Sequence, residues 1–141
     1  MSMFKHHENP LTSLGIGQTV SIVKWLEEMN IPVNRYEINK DLTININGDL
    51  YLWNKNINKF PDYIKFNIIY GNFACDRNQL ISLKGCPYIV EGNFYCTMNK
   101  LTSLEGCPKI VKGIFNCRKN EVKFVKKVVK KLCKVKKDIY V

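Results

Sequence analysis

Apolar and polar positions in this chain follow two periods: a two-residue alternation in short stretches, and a 21-residue recurrence that gathers those stretches into units. Alternation marks strands with one buried face, because successive side chains of a strand point to opposite sides. Gly71, Gly92 and Gly113 are 21 residues apart, as are Cys75, Cys96 and Cys117, and Asn78, Asn99 and Asn120. Cys86-Pro87 returns as Cys107-Pro108. The unit reads G-x-F-x-C-x-x-N-x-L-x-S-L-x-G-C-P-x-I-V, complete from Gly71 and again from Gly92, with a third copy entering at Gly113. Each unit carries apolar residues first at two-residue spacing and then at L-x-x-L spacing. It can bury them only against neighbours above and below, so the pattern predicts a solenoid.

The same pattern extends outward in weaker form. Residues 48–57 keep the alternation, with Leu50 and Leu52 at the Phe and Cys positions, but Gly48 lies 23 residues before Gly71, so this coil has absorbed two extra residues. Residues 135–141 align with residues 111–117 and predict a final strand. Asn47-Gly48 between residues 42–46 and 49–53 is a hairpin signal, since both turn residues tolerate positive φ; it predicts an antiparallel strand over the first edge. Residues 18–29 place Val20, Val23, Leu26 and Met29 on one helical face, closed by Asn30 and Pro32. Between residues 122 and 133 a second helix is expected, with Val122, Val125, Val129 and Leu132 on one face and lysines around the other. It would replace the last coil's loop and seal the core. The expected fold class is α+β, a short repeat solenoid with a parallel sheet, in a single domain over residues 1–141. A helix and hairpin cap occupies residues 1–47, the coils residues 48–120, and a basic helix with a capping strand residues 121–141.

At Asn78-Gln79-Leu80-Ile81-Ser82-Leu83 and Asn99-Lys100-Leu101-Thr102-Ser103-Leu104 the unit resembles the leucine-rich repeat. The likeness is to the short bacterial form, in which N-x-L-T-x-L precedes a proline-containing turn, and it covers about residues 42–141. The resemblance implies that the segment around F-x-C forms a short parallel strand. It also implies that the Asn side chain bonds the backbone of the adjoining turn and that the leucines fill a continuous core. The G-C-P turn with a flanking helix looks like leucine-rich-repeat proteins of tailed phages. That likeness suggests an origin and supplies no catalytic residue.

Charge changes the picture at one end of the chain. Residues 1–108 hold ten Lys/Arg and ten Asp/Glu, whereas residues 109–141 hold twelve basic and two acidic residues, so the whole net charge of +10 lies in the last 33. Lys outnumbers Arg 19 to 3, a bias that fits an AT-rich genome such as a phage's and makes some lysines a matter of composition. No apolar run reaches the roughly 18 residues of a membrane span, and residues 1–10 are polar, without the apolar stretch of a signal peptide. The expected location is the cytoplasm, of the infected host cell if the chain is phage-encoded.

Six cysteines invite a disulfide or metal reading, yet their spacing is that of the repeat. Packing in equivalent core and turn positions is therefore expected, with reduced thiols. No C-x-x-C occurs, and His6 and His7 fall in an amino terminus expected to be frayed, so neither a metal nor another cofactor is expected. The chain lacks G-x-x-x-x-G-K-[ST], H-E-x-x-H and G-x-S-x-G, and its carboxylates are scattered; no enzymatic activity is expected. Gly15-Ile16-Gly17 reads as a helix entry, since a lone G-x-G with no preceding strand is weak as an anion site.

What remains is surface. With the Phe and Cys positions inward, the intervening residues form an outer face. That face carries Asp49, Tyr51, Trp53 and Asn54, then Asn72, Ala74, Asp76 and Arg77, then Asn93, Tyr95, Thr97 and Met98. It continues through Ile114, Asn116, Arg118 and Lys119 to Tyr140. Tyr, Trp, Met and Arg are enriched at protein interfaces, so the expected contact residues are Tyr51, Trp53, Arg77, Tyr95, Met98, Arg118, Lys119 and Tyr140. β-propensity alone also selects Tyr and Trp on such a face. A second, electrostatic set is Lys123, Lys126, Lys127, Lys130 and Lys131. It fits a solvated cap, an acidic protein or nucleic-acid phosphates, although no aromatic is interleaved to stack on bases. Two functions are thus expected: binding of a host protein, including a defence protein, by the sheet face, or accessory nucleic-acid binding by the basic helix.

Overall fold

The repeat closes into coils that each give one strand to each of two sheets. The structure, a computed structural model, describes residues 13–141, so residues 1–12, His6 and His7 among them, lie outside the described residues. One sheet holds β1 (Tyr36–Ile38), β2 (Ile44–Ile46), β4 (Phe66–Ile69), β6 (Ile89–Val90), β8 (Ile110–Val111) and β10 (Lys134–Val135), adjacent in that order. The other holds β3 (Leu50–Tyr51), β5 (Phe73–Ala74), β7 (Phe94–Tyr95), β9 (Phe115–Asn116) and β11 (Ile139–Tyr140), also stacked in chain order. All pairings are parallel except β1 with β2. The molecule is a small solenoid of about five turns, with helices α1 (Ser13–Glu28) and α2 (Lys126–Leu132).

Between the sheets runs a column of repeat-equivalent side chains. Phe73, Phe94 and Phe115 stack with ring centroids 5.9 and 5.1 Å apart, and Cys75, Cys96 and Cys117 are fully buried beside them. The leucines of the L-x-x-L segments, Leu80, Leu83, Leu101 and Leu104, close the core opposite. At the far end Val135 pairs with Val111 and Ile139 with Phe115, the register expected from aligning residues 135–141 with 111–117.

Three local expectations are corrected. Asn47-Gly48 does not join a hairpin: β2 and β3 belong to different sheets, and Gly48, at φ +94°, turns the corner between them. A two-residue hairpin would pair Asn45 with Leu50 and so set the apolar residues of the two strands on opposite faces, whereas parallel pairing of Ile44 with Phe66 and of Leu50 with Phe73 buries both sets. The antiparallel strand at the first edge is instead β1. The large apolar side chains that α1 buries, among the described residues, are Ile22, Trp25 and Leu26, while Val20 is 61% exposed. Trp25 packs edge-on against Phe60 and Phe66, each with centroids 6.2 Å away. Burying the largest apolar side chain of the helix turns Val20, roughly 140° round the axis, to solvent. Gly15 and Gly17 lie inside α1 and not before it.

The basic helix is also shorter than expected. It spans seven residues, with Val129 its buried residue, while Val122, Val125 and Leu132 are exposed. Phe124 and Cys133 are buried on either side of it. The larger Phe124 ring takes the core position, and the extended Val125, at φ −115° and ψ 149°, delays the helix start.

Candidate functional site

Strand register decides which side chains meet on the outer face of the β3 to β11 sheet. Tyr51 stands beside Ala74, Ala74 beside Tyr95, Tyr95 beside Asn116, and Asn116 beside Tyr140. Ala74 is expected from the alternation to lie on the surface, but it is 1% exposed. A methyl between two tyrosines is shaded by both, so the row has a notch there. Tyr51, Trp53, Asn54, Ala74, Asp76, Arg77 and Tyr95 line a cleft of about 530 Å³ over that notch.

Hydrogen bonds hold the walls. The Tyr51 hydroxyl donates to Asp49 Oδ2 at 3.2 Å, and the Tyr95 hydroxyl accepts from Asn93 Nδ2 at 3.0 Å. Trp53 leans on Tyr51, ring centroids 5.0 Å apart at 36°. Each Tyr is thus tied to an Asp or Asn two residues earlier on the same face. Half-buried Asp76 accepts the Thr97 N–H at Oδ1, 2.9 Å. Burial raises its carboxyl above the usual carboxylate range, while hydrogen bonds from Thr97 and the Arg77 charge pull the other way. Asn54, Arg77, Met98 and Lys119 occupy one repeat position with φ between 49° and 59°, where the chain turns off the sheet.

The expected contact residues fall into two groups. Tyr51, Trp53, Arg77 and Tyr95 surround the cleft. Half-buried Met98 is outside its lining; its N–H donates to Arg118 O at 3.2 Å. Near the other end of the face, the Arg118 guanidinium lies 5.1 Å from the centre of the Tyr140 ring. Arg118 and Lys119, with Lys123, line a separate hollow of about 280 Å³. Lys126, Lys127, Lys130 and Lys131 are exposed on α2. Asn54, Ala74 and Asp76 were not expected contact residues. The signal that finds them is the pairing of Tyr51 with Tyr95 across the small residue between them.

The cysteines lie in the interior. All six are free and buried. Burial pushes the Cys107 and Cys117 thiols up to about 11 and Cys133 up to about 12, and raises Cys86 and Cys96 as well. Such thiols stay protonated at neutral pH and are poor nucleophiles. Among the described residues, no three His, Cys, Asp or Glu side chains are grouped to hold a metal, and no helix is long and apolar enough to cross a membrane. In comparisons with known proteins, the chain matches no family model, no curated protein and no solved structure.

Proposed function

We propose that this chain is a non-catalytic protein-binding module of the leucine-rich-repeat class. In this reading it is phage-encoded, acts in the host cytoplasm, and inhibits or redirects a host factor such as a defence protein. The observation that carries it is the cleft: Trp53 and Tyr51, 52% and 43% exposed, stand in fixed positions beside Tyr95 on a regular sheet face. Rigid aromatic side chains desolvate at low entropic cost and form the anchors of interfaces. The second reading, nucleic-acid binding, rests on the exposed lysines of α2.

The full-length chain is the bait for capture from host lysate, as wild type, with Trp53→Ala and Tyr95→Ala, and with Lys126, Lys127, Lys130 and Lys131 all replaced by Gln. The aromatic variants should weaken partner binding by about 2 kcal/mol each while costing the fold no more than about 1 kcal/mol. The lysine set should slow association alone. Binding that survives the aromatic changes, is abolished by the lysine changes, and falls about a thousandfold between roughly 50 and 200 mM salt would establish the nucleic-acid reading instead.

A further inference from the structure

We propose that the cleft is an aromatic cage for a rounded organic cation, an alkylammonium group carried on a side chain of the protein partner. This rests on the proposed role of the sheet face. Three aromatic rings, a methyl floor and one carboxylate define the chemistry. Tyr51 and Tyr95 are two strands apart, which places their backbones roughly 10 Å from each other across Ala74. A flat ring touching both walls needs about 7–8 Å, so the span suits a rounded group better. Aromatic faces attract cations by their quadrupoles, most strongly where water is thinned, whereas a neutral group gains only contact.

The charges decide the sign of the ligand. Asp76 is half-buried at the cleft and Arg77 is exposed. Solvent screens the exposed charge more than the buried one, so the carboxylate dominates inside and the guanidinium acts mainly at the rim. Asp76 accepts a backbone and a side-chain hydrogen bond from Thr97, and a carboxylate offers about four acceptor positions, so capacity remains for a cation. Lysine is absent from the lining, in contrast to the last 33 residues with their net +10. The row itself already holds such a contact, since Arg118 sits over Tyr140.

The test uses the full chain and the indole N–H resonance of Trp53, assigned by its loss in Trp53→Ala. Choline chloride is titrated at constant ionic strength against its neutral carbon isostere, 3,3-dimethyl-1-butanol. Choline should shift the resonance saturably and bind about tenfold more tightly than the alcohol. Asp76→Asn should remove most of that preference, Arg77→Ala should increase choline affinity, and choline should displace captured partner where the alcohol does not. Equal binding of the two probes, or no binding by either, overturns the cage. If choline fails while Trp53→Ala still releases the partner, the cage is wrong and the binding face stands. If choline binds but neither choline nor Trp53→Ala disturbs the partner, both the face and the side-chain assignment fall.

Discussion

Two rows of Asn and Asp side chains run along this solenoid, and they join the coils in different ways. The inner row is Asn78, Asn99 and Asn120. Asn99 Oδ1 accepts the Leu80 N–H at 3.0 Å, and its Nδ2 donates to the carbonyls of Cys75, Cys96 and Thr97 at 3.1 to 3.2 Å. Asn78 and Asn120 repeat the arrangement one coil away. The corner row is Asp49, Asn72 and Asn93, where each Oδ1 accepts one N–H of the following coil at 2.7 to 2.8 Å. The inner row reaches back with several bonds, which at Asn78 and Asn99 lie in the buried core; the corner row reaches forward with one bond each at exposed or half-buried positions. Buried polar groups of the first kind are costly to orphan, whereas water replaces much of the second.

The largest expected effect probes the buried thiols of the core, among them Cys117, whose backbone carbonyl accepts an inner-row bond from Asn120. A thiol whose value is raised in the folded state contributes fully below its unfolded value, about 8.5, and that contribution is lost as pH climbs toward the folded value. With Cys107 and Cys117 at about 11 and Cys133 at about 12, stability should fall between about pH 8.5 and 12. Each thiol removes at most about 1.4 kcal/mol per pH unit above its unfolded value, so the three, each only partly shielded from solvent, together take roughly 4 kcal/mol by about pH 10. Urea midpoints across that range test this, and Cys117→Ala should flatten the slope. A pH-independent midpoint would mean the thiols are not shielded.

Next comes the contrast between the rows themselves. Asn99→Ala should cost about 3 kcal/mol by chemical denaturation, because it strands several buried backbone groups at once. Asn72→Ala should cost about 1 kcal/mol, and equal losses would erase the distinction. Between them lies Gly92→Ala, at about 2 kcal/mol. A Cβ at Gly92 would overlap Asn72 Oδ1 and come within 2.9 Å of the Gly71 backbone, so glycine keeps the corner row close. Combining Gly92→Ala with Asn72→Ala should cost less than the sum, since one overlap disappears.

The same contrast separates what could be read from the sequence. The inner row was legible because Asn recurs three times at an unbroken spacing of 21 beside the leucines. The corner row was not: its members are an Asp and two Asn, the position ends in Ile114, and each reads as an ordinary polar residue on an outer face. The candidate site divides likewise. Alternation placed Tyr51, Trp53 and Tyr95 outward, but the cleft depends on Ala74 falling between two tyrosines, a relation between residues 23 and 21 positions apart.

Periodicity by itself therefore determined the stacking of coils, the buried Phe and Cys columns and the register of the final strands, because each follows from repeating one local pattern. Tertiary structure alone decided the second sheet, the corner at Gly48, the rotation of α1 about Trp25 and the short α2 behind Phe124. In those places the outcome rests on competition between side chains distant in sequence for the same buried volume, and local pattern does not record which one wins.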